Sequence, residues 1–417
     1  KNYAIMLCSL PLLRLTNLKS RWPLSWKMVA AVHQVQLLSH VFCLTIICKR
    51  RDRALEERSL SQRLHLDIPL LFGLVLLCGV GLIVLYSAGG QDISLIYQQA
   101  TRIGLALLLM FMVAQISPAR LARMSLWIYL AGIALLALVL FTGEIGKGAQ
   151  RWLNLGFIRF QPSELMKLAV PMLLAWFFAD RHLPPGLGRM FFAMVMIVIP
   201  VFLIAKQPDL GTSLLVAAAG LSILFVAGVS WKLIGGFSLI AALSTPVLWY
   251  VMHEYQRQRV LTLLDPEKDP LGAGYHIIQS KIAIGSGGLY GKGWLNGTQS
   301  HLEFLPERST DFIFAVFCEE FGLMGVLLLI TIYMFIIMRG LYISLNSQNT
   351  FGRLLGAGLT FTFFVYVFVN MGMVIGQLPV VGIPLPLVSH GGTSMVTLMI
   401  AFGILMAIHT HRRLLSD

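Results

Sequence analysis

Asp311 is the residue whose type and position most directly suggest chemistry. It follows the polar run Pro306-Glu307-Arg308-Ser309-Thr310 and stands immediately before a long apolar stretch. A carboxylate at such a boundary is partly withdrawn from water and can act as a general base. Glu319 and Glu320 lie about two helical turns deeper in the same stretch. Because an aspartate before a helix is also a common N-cap, spacing alone leaves a base and a cap as alternatives.

Glu164 and Lys167 are a second candidate site, inside the apolar segment that begins at Gln161-Pro162-Ser163. Residues three positions apart lie on one face of a helix, so these two side chains should meet. Charges within a membrane-spanning segment are costly and usually face an interior cavity. The pair therefore either lines a cavity or joins two helices as a structural ion pair.

Asp209 opens another apolar stretch within the string Gln207-Pro208-Asp209-Leu210-Gly211-Thr212. An aspartate at this position is commonly a helix cap or a partner of the helix dipole. The alternative is direct contact with substrate, and the sequence leaves both interpretations open.

Basic residues in two loops on one predicted side of the membrane form a third group of candidates. They indicate either recognition of an anionic group or ordinary solvation of loops. These residues are Lys147, Arg151, Arg257, Arg259, Lys281, Lys292 and Arg308.

The loop 253–310 is also rich in glycine, with Gly285-Ser286-Gly287-Gly288 and Gly291-Lys292-Gly293 close together. Glycines at this density could form anion-binding nests of backbone N–H groups. The chain has no GxxxxGK[ST], HExxH or GxSxG pattern, so nucleotide binding, a zinc protease site and an esterase nucleophile are not predicted. The Pro-rich segment 378–386 is predicted to be a re-entrant loop buried in protein.

Membrane helices must position these residues. Of the 417 residues, 57% are hydrophobic and 12% are charged, against an apolar share of about 45–50% in soluble domains. A hydrocarbon core about 30 Å thick requires helices of about 20 apolar residues. We therefore predict an all-α integral membrane protein with ten transmembrane helices and a large outward-facing loop, 253–310, between helices 7 and 8. The predicted spans are 68–87, 97–116, 124–142, 162–180, 190–205, 209–228, 231–252, 311–338, 354–376 and 392–408.

The net charge of +13 comes mostly from residues 1–66, which hold eleven basic and three acidic residues. We interpret this segment as a basic N-terminal extension, disordered or non-native, and residues 67–417 as the membrane domain. The weakly apolar run Met28 to Cys48 is the alternative, as an extra span. Lys and Arg in the short connections place both termini in the cytoplasm and the loop 253–310 outside. Nucleic-acid binding is not predicted.

Several long motifs, in order, resemble the SEDS family (shape, elongation, division and sporulation), and most closely its rod-shape elongation member. The resemblance covers roughly residues 66–414. One departure is His390, where a tyrosine is common in the family; we expect this change to be tolerated. The motifs are Gly148-Ala149-Gln150-Arg151-Trp152, Gln161-Pro162-Ser163-Glu164, Gln207-Pro208-Asp209-Leu210-Gly211-Thr212-Ser213, Gly274-Tyr275-His276-Ile277-Ile278-Gln279-Ser280, Glu307-Arg308-Ser309-Thr310-Asp311-Phe312 and Pro384-Leu385-Pro386-Leu387-Val388-Ser389-His390-Gly391-Gly392.

The resemblance implies a peptidoglycan glycosyltransferase that polymerises lipid II at the periplasmic face of the bacterial inner membrane. It implies a class B penicillin-binding protein, a transpeptidase of the elongation machinery, as partner. The family's proposed catalytic aspartate falls on Asp311, its intramembrane pair on Glu164 and Lys167, and its loop Arg-Trp on Arg151 and Trp152. Substrate binding is further expected at Asp209, Lys281 and Arg308. No cofactor is required by the sequence, although Mg²⁺ or Mn²⁺ could assist.

Two other functions fit part of the pattern. A flippase or transporter of a lipid-linked cell-wall precursor would also need intramembrane charges and a cavity. A noncatalytic scaffold for wall-synthesis enzymes would need no carboxylate at Asp311. Cations and a carboxylate gathered on one side favour the transferase over both.

Overall fold

The computed structural model describes residues 64–411 apart from 147–148, 155–158, 181–182, 230–234, 237–242, 244–248, 251–253, 269–272 and 302–306. The predicted extension, residues 1–66, lies almost entirely outside the described residues, and the run Met28 to Cys48 lies wholly outside them. The interpretation of that segment stays a prediction.

Helices account for most of the described chain, as the apolar runs predict. The long helices are α1 Ile68–Ala88, α2 Ile93–Ala114, α3 Pro118–Thr142, α4 Pro162–Ala179, α5 Leu187–Lys206, α6 Leu210–Val226, α10 Ile313–Leu345, α11 Thr350–Ile375 and α12 Thr393–Thr410. Eight of these are long and apolar enough to cross a membrane, and α6 is a shorter apolar helix. The all-α membrane fold is confirmed. The remaining predicted span, 231–252, lies largely outside the described residues, so the count of ten stays a prediction.

The loop after α3 departs from the all-helical expectation. It forms three short antiparallel strands, β1 Glu144–Gly146, β2 Ala149–Asn154 and β3 Arg159–Phe160, in the order β1-β2-β3. Glu144 pairs with Trp152, and Leu153 pairs with Phe160. Strand pairing satisfies backbone groups of a segment that its sequence does not favour as a helix.

The described part of the predicted large loop 253–310 contains more helix than its glycine and proline content suggests. It contains α7 Glu254–Leu264, a 3-10 turn at Pro266–Lys268, α8 Ala273–Gly287 and the short α9 Thr298–His301. Helix α8 packs against α10 and α11. This loop is therefore attached to the same helices that carry the candidate site.

Helices α4, α11 and α12 lie at the centre of the bundle, and most of their residues are buried. Helix α11 packs against α4, α6, α10 and α12, whereas α2, α3 and α5 present large apolar side chains outward. Charged side chains on α4 are thus enclosed by protein and kept away from lipid, which is where an intramembrane charge is tolerated.

Helix α10 is interrupted near its beginning. Gly322 has φ 62° and ψ −163°, and a Cβ there would lie 2.3 Å from the backbone nitrogen of Gly291. The loop residues Lys292 and Gly293 donate their backbone N–H groups to the carbonyls of Glu319 and Glu320, at 3.0 Å each. The glycines therefore allow two backbones to approach closely, and the part of α10 that follows Asp311 is a short separate piece.

Candidate functional site

Five connections lie together at one end of the bundle, which we call the Asp311 end. They are 89–92, the described residues of 143–161, 207–209, 307–312 and 376–392, and the contacts described below join them. The opposite end, which carries Asp67, is called the Asp67 end.

Asp311 is half-buried in the turn that leads into α10. The N-cap position of α10 is Phe312, one residue later, so Asp311 does not occupy the capping position that its sequence suggested. One carboxylate oxygen, Oδ2, lies 3.4 Å from the place that a Cβ on Gly382 would take. The 376–392 loop therefore passes beside this carboxylate, and the backbone of Gly382, with φ +75°, is in the left-handed region that favours glycine.

Asp209 is 6% exposed and is the N-cap of α6. Its Oδ1 accepts a hydrogen bond from the Thr212 backbone N–H at 3.2 Å, and its Oδ2 accepts one from Gln161 Nε2 at 2.9 Å. Arg151 Nη1 lies 3.8 Å from Oδ1. The capping interpretation of Asp209 is confirmed, and substrate contact stays a prediction.

The 376–392 loop lies between the two aspartates. A Cβ on Gly211, in the first turn of α6, would lie 2.9 Å from the carbonyl oxygen of Val381. The next residue, Gly382, borders Asp311. The predicted re-entrant segment 378–386 is non-helical, as expected, but only Ile383, Leu385 and Pro386 are buried, Gly382 is exposed and the rest are half-buried. The segment is therefore only partly enclosed by protein.

Glu164 and Lys167 meet as their spacing predicts. Lys167 Nζ lies 2.5 Å from Glu164 Oε1, and both residues are about 95% enclosed, with 5% and 4% of their surface exposed. The ammonium also stands 4.9 Å from the centre of the Tyr366 ring on α11. Glu164 Oε2 has no hydrogen-bond partner among the described residues. The pair joins α4 to α11, and its role as a cavity lining stays a prediction.

The other predicted site residues are distributed around the Asp311 end. Arg151 donates to the carbonyl of Pro208 and lies beside Asp209. Lys281 Nζ lies 3.1 Å from the position of a Cβ on Gly376, and Arg308 Nη2 lies 3.6 Å from that of a Cβ on Gly90. Trp152 is half-buried in β2. The three cations contact different connections, so they surround this end without forming one cluster.

The glycine-rich loop does not offer the anion-binding nest that its sequence suggested. The N–H groups of Lys292 and Gly293 bond protein carbonyls of α10, as described above. Lys292 Nζ reaches Glu319 Oε1 at 2.7 Å, and that carboxylate also accepts from the backbone N–H of Thr298 at 2.9 Å. These donors therefore anchor the loop to α10.

Several residues near Asp311 were missed by sequence reasoning. Asn370, Ser389 and Arg102 lie far from Asp311 along the chain, and their types are common at structural positions. Arg102 Nη1 lies 2.8 Å from His390 Nε2. Burial, and then the charge of Arg102, lower the pKa of His390 below its ordinary value. His390 is therefore neutral at pH 7. The tolerance of this departure stays a prediction.

Within the part of the chain that the structure describes, no group of three or more His, Cys, Asp or Glu side chains could hold a metal ion. Assistance by Mg²⁺ or Mn²⁺ stays a prediction.

Comparison with known proteins decides the family. The family model "Cell cycle protein", which represents FtsW, RodA and SpoVE, matches residues 62–414. The chain belongs to the FtsW/RodA/SpoVE family. The resemblance of its motifs to the SEDS family is thereby confirmed.

Relatives in the FtsW/RodA/SpoVE family are similar over most of the chain. The peptidoglycan glycosyltransferase MrdB of Escherichia coli K12 is 54% identical over 361 residues, covering 86% of this chain and 98% of the relative. The MrdB of Helicobacter pylori 26695 is 37% identical over 350 residues, covering 82% and 89%.

Two solved structures share the fold. One, titled "Structural coordination of polymerization and crosslinking by a peptidoglycan synthase complex", is 34% identical, has a TM-score of 0.72, and is matched over 82% of this chain and 97% of that one. The other is the rod shape determining protein RodA of Thermus thermophilus, 30% identical with a TM-score of 0.63, matched over 82% and 96%.

Proposed function

We propose that this chain is a peptidoglycan glycosyltransferase that polymerises lipid II for cell elongation. The observation that carries the proposal is its similarity to peptidoglycan glycosyltransferases named MrdB, at up to 54% identity over nearly the whole relative. The placement of Asp311 beside the 376–392 loop, at an end ringed by Arg151, Lys281 and Arg308, supports it.

The reaction joins two lipid-linked sugars. The C4 hydroxyl of an acceptor N-acetylglucosamine attacks C1 of a donor N-acetylmuramic acid, and the bond from C1 to undecaprenyl diphosphate breaks. Asp311 accepts the hydroxyl proton as the new C–O bond forms, and the leaving diphosphate carries away the electron pair of the broken bond. General bases typically contribute about 10²–10⁴-fold to such a rate.

The cations at the Asp311 end stabilise the leaving group. Arg151, Lys281 and Arg308 supply positive charge where the diphosphate develops its own charge. The side chain of Arg151 is 29% exposed, so part of it is accessible to a phosphate, and its Nη1 stands 3.8 Å from Asp209 Oδ1. Trp152, on the same strand, is suited to stack on a sugar.

The buried groups bind the rest of the substrate. Glu164 and Lys167 line the space that receives lipid II, and Asp209 keeps Arg151 in place while it caps α6. The second oxygen of Glu164 is the atom of this pair that can accept a bond from substrate.

The Asp311 end faces the periplasm in this proposal. Arg120, Arg339 and Arg353 lie at or near the Asp67 end, and excess Lys and Arg marks the cytoplasmic side of short connections. Both termini are then cytoplasmic, in the inner membrane. The partner is a class B penicillin-binding protein of the elongation machinery. This is in line with the solved structure of a peptidoglycan synthase complex, one chain of which this chain resembles.

The test is polymerisation of lipid II by the purified protein, with and without its class B partner, alongside Asp311→Asn. We expect glycan strands from the wild type and at least about 10²-fold fewer from Asp311→Asn. The matched control is Asp92→Asn, because Asp92 is an exposed N-cap at the same end, and Asn is a good cap. Near-normal strands from folded Asp311→Asn would overturn the assignment of the base. Lipid transport between leaflets without polymerisation would favour a flippase instead.

A further inference from the structure

Three consecutive backbone carbonyls around Asp311 each accept a hydrogen bond from the segment 370–390. The Ser309 carbonyl accepts from the His390 backbone N–H at 2.9 Å. The Thr310 carbonyl accepts from Ser389 Oγ at 2.6 Å, and the Asp311 carbonyl accepts from Asn370 Nδ2 at 3.0 Å. We call these three bonds the carbonyl clamp.

The carbonyl clamp holds a turn that the hydrogen bonds of α10 do not reach. The helix begins at Ile313, and Ala315 donates to the Phe312 carbonyl at 2.9 Å. The three clamped carbonyls precede that bond along the chain. Without the clamp, the turn that carries Asp311 would depend on its own local bonds, such as the Thr310 N–H to the Glu307 carbonyl at 3.0 Å.

The two side-chain donors are themselves held firmly. Asn370 is 0% exposed and donates a second bond to the Ile383 carbonyl at 2.7 Å. Ser389 is 3% exposed, and its Oγ also accepts from the Leu385 backbone N–H at 2.8 Å. Gln99, on α2, donates to the Ser389 carbonyl at 3.2 Å. The donors thus connect the backbone of Asp311 to α11, to the 376–392 loop and to α2.

The positions of these bonds set the direction in which the Asp311 side chain leaves the backbone. The Thr310 carbonyl belongs to the peptide plane before the Asp311 Cα, and the Asp311 carbonyl belongs to the plane after it. Because peptide units are planar, fixing both planes fixes φ and ψ of Asp311 and hence the direction of its Cα–Cβ bond. Ser389 holds the first plane and Asn370 holds the second.

We infer that Ser389 and Asn370 are positioning residues that aim the Asp311 carboxylate at the acceptor hydroxyl. This inference rests on the proposed role of Asp311 as the base. Neither side chain touches substrate; both act through the backbone of Asp311. A catalytic group displaced by about 1 Å can lose about 10²-fold in rate, so a clamp of this kind has a measurable consequence.

The experiment measures kcat and KM for lipid II with the full chain and its class B partner, for wild type and Ser389→Ala. We expect kcat to fall about 10- to 100-fold, since the carboxylate is misplaced, while KM stays unchanged because no substrate contact is removed. Ser389→Thr keeps the hydroxyl and is expected to retain most of the rate.

Ser344→Ala is the matched control. Ser344 is 0% exposed and donates to the Arg353 carbonyl at 2.6 Å, so it makes the same kind of buried bond, near the far end of α10. We expect this variant to keep kcat within about twofold, because it leaves the Asp311 turn intact. Equal losses of kcat in Ser344→Ala and Ser389→Ala would overturn the inference, since both would then reflect general loosening.

Ser389→Cys and Asp311→Asn complete the experiment. If Ser389→Ala does not fold, Ser389→Cys replaces it, because a thiol keeps the shape but donates weakly. Wild-type kcat in the folded variant would overturn the positioning role. Asp311→Asn in the same assay separates the two ideas: if it is inactive while Ser389→Ala is fully active, the inference fails and the proposed base stands. If Asp311→Asn is active, the proposed base itself fails.

Discussion

Asp209 and Asp311 give nearly the same signal in the sequence and have different surroundings in the structure. Each follows a polar turn and precedes an apolar helix at the same end of the bundle. The Asp209 carboxylate binds Thr212, Gln161 and Arg151. At Asp311 the described hydrogen bond from Asn370 falls on the backbone carbonyl, and the carboxylate borders a glycine. The described contacts of Asp209 therefore hold its carboxylate, whereas the described hydrogen bond at Asp311 holds its backbone.

In the Glu164–Lys167 pair the carboxylate and its cation are both buried. Removing the cation is expected to have the largest effect on stability among the changes proposed here. Lys167→Met leaves Glu164 buried without its cation, which typically costs about 3–5 kcal/mol. We expect a large loss of folded protein, measured by thermal unfolding in detergent.

Lys292→Met is the control for that variant. Lys292 pairs with Glu319, but Glu319 keeps bonds from the backbone N–H groups of Thr298 and Gln299. Its loss of stability should therefore be clearly smaller. Equal losses of stability in the two variants would show that the cost of removing a cation does not depend on how fully its carboxylate partner is enclosed.

Asp67, the N-cap of α1 at the opposite end, adds a pH test to the comparison. Burial by itself raises the pKa of Asp67, but the close contact of His409 Nδ1 with Asp67 Oδ2, at 2.8 Å, and two hydrogen bonds from Arg339 outweigh it and hold that pKa well below the ordinary value. A lowered pKa in the folded state means that this stability is present above the unfolded pKa of about 3.9 and is lost as pH falls below it.

We expect Asp67→Asn to lower the melting temperature at pH 7, by the loss of charged hydrogen bonds worth about 1.5–3 kcal/mol. The difference from wild type should shrink as pH falls below about 4. Thermal unfolding across pH measures it. A difference that stays constant down to the acid limit would contradict the ion-pair account.

Asp209→Ala is expected to have the smallest effect on stability of these changes. It removes an N-cap, which costs about 0.5–2 kcal/mol, and Asn is expected to restore most of that loss. Thermal unfolding of Asp209→Ala and Asp209→Asn measures the difference. If Ala and Asn are equally stable, the capping role is wrong.

Much of the bundle could be predicted from the sequence because a membrane imposes a length and a composition on each helix. The Glu164–Lys167 contact was also predictable, since a spacing of three positions on one helix brings two side chains together. The carbonyl clamp was not, because Asn370 and Ser389 lie 59 and 79 positions from the carbonyls they bind. The role of the glycines at 287–293 was missed for the same reason: the partner backbone, at Glu319 and Glu320, becomes visible once the chain is folded.

In the proposed function Asp311 does chemistry, whereas Asp209 maintains structure. The direct measurement is the rate of lipid II polymerisation at saturating substrate by folded Asp311→Asn and folded Asp209→Asn, each relative to wild type. We expect a loss of at least about 10²-fold for Asp311→Asn, because an amide cannot accept the proton, and less than about tenfold for Asp209→Asn, because Asn still caps α6. Equal losses in the two variants, or a larger loss for Asp209→Asn, would contradict it.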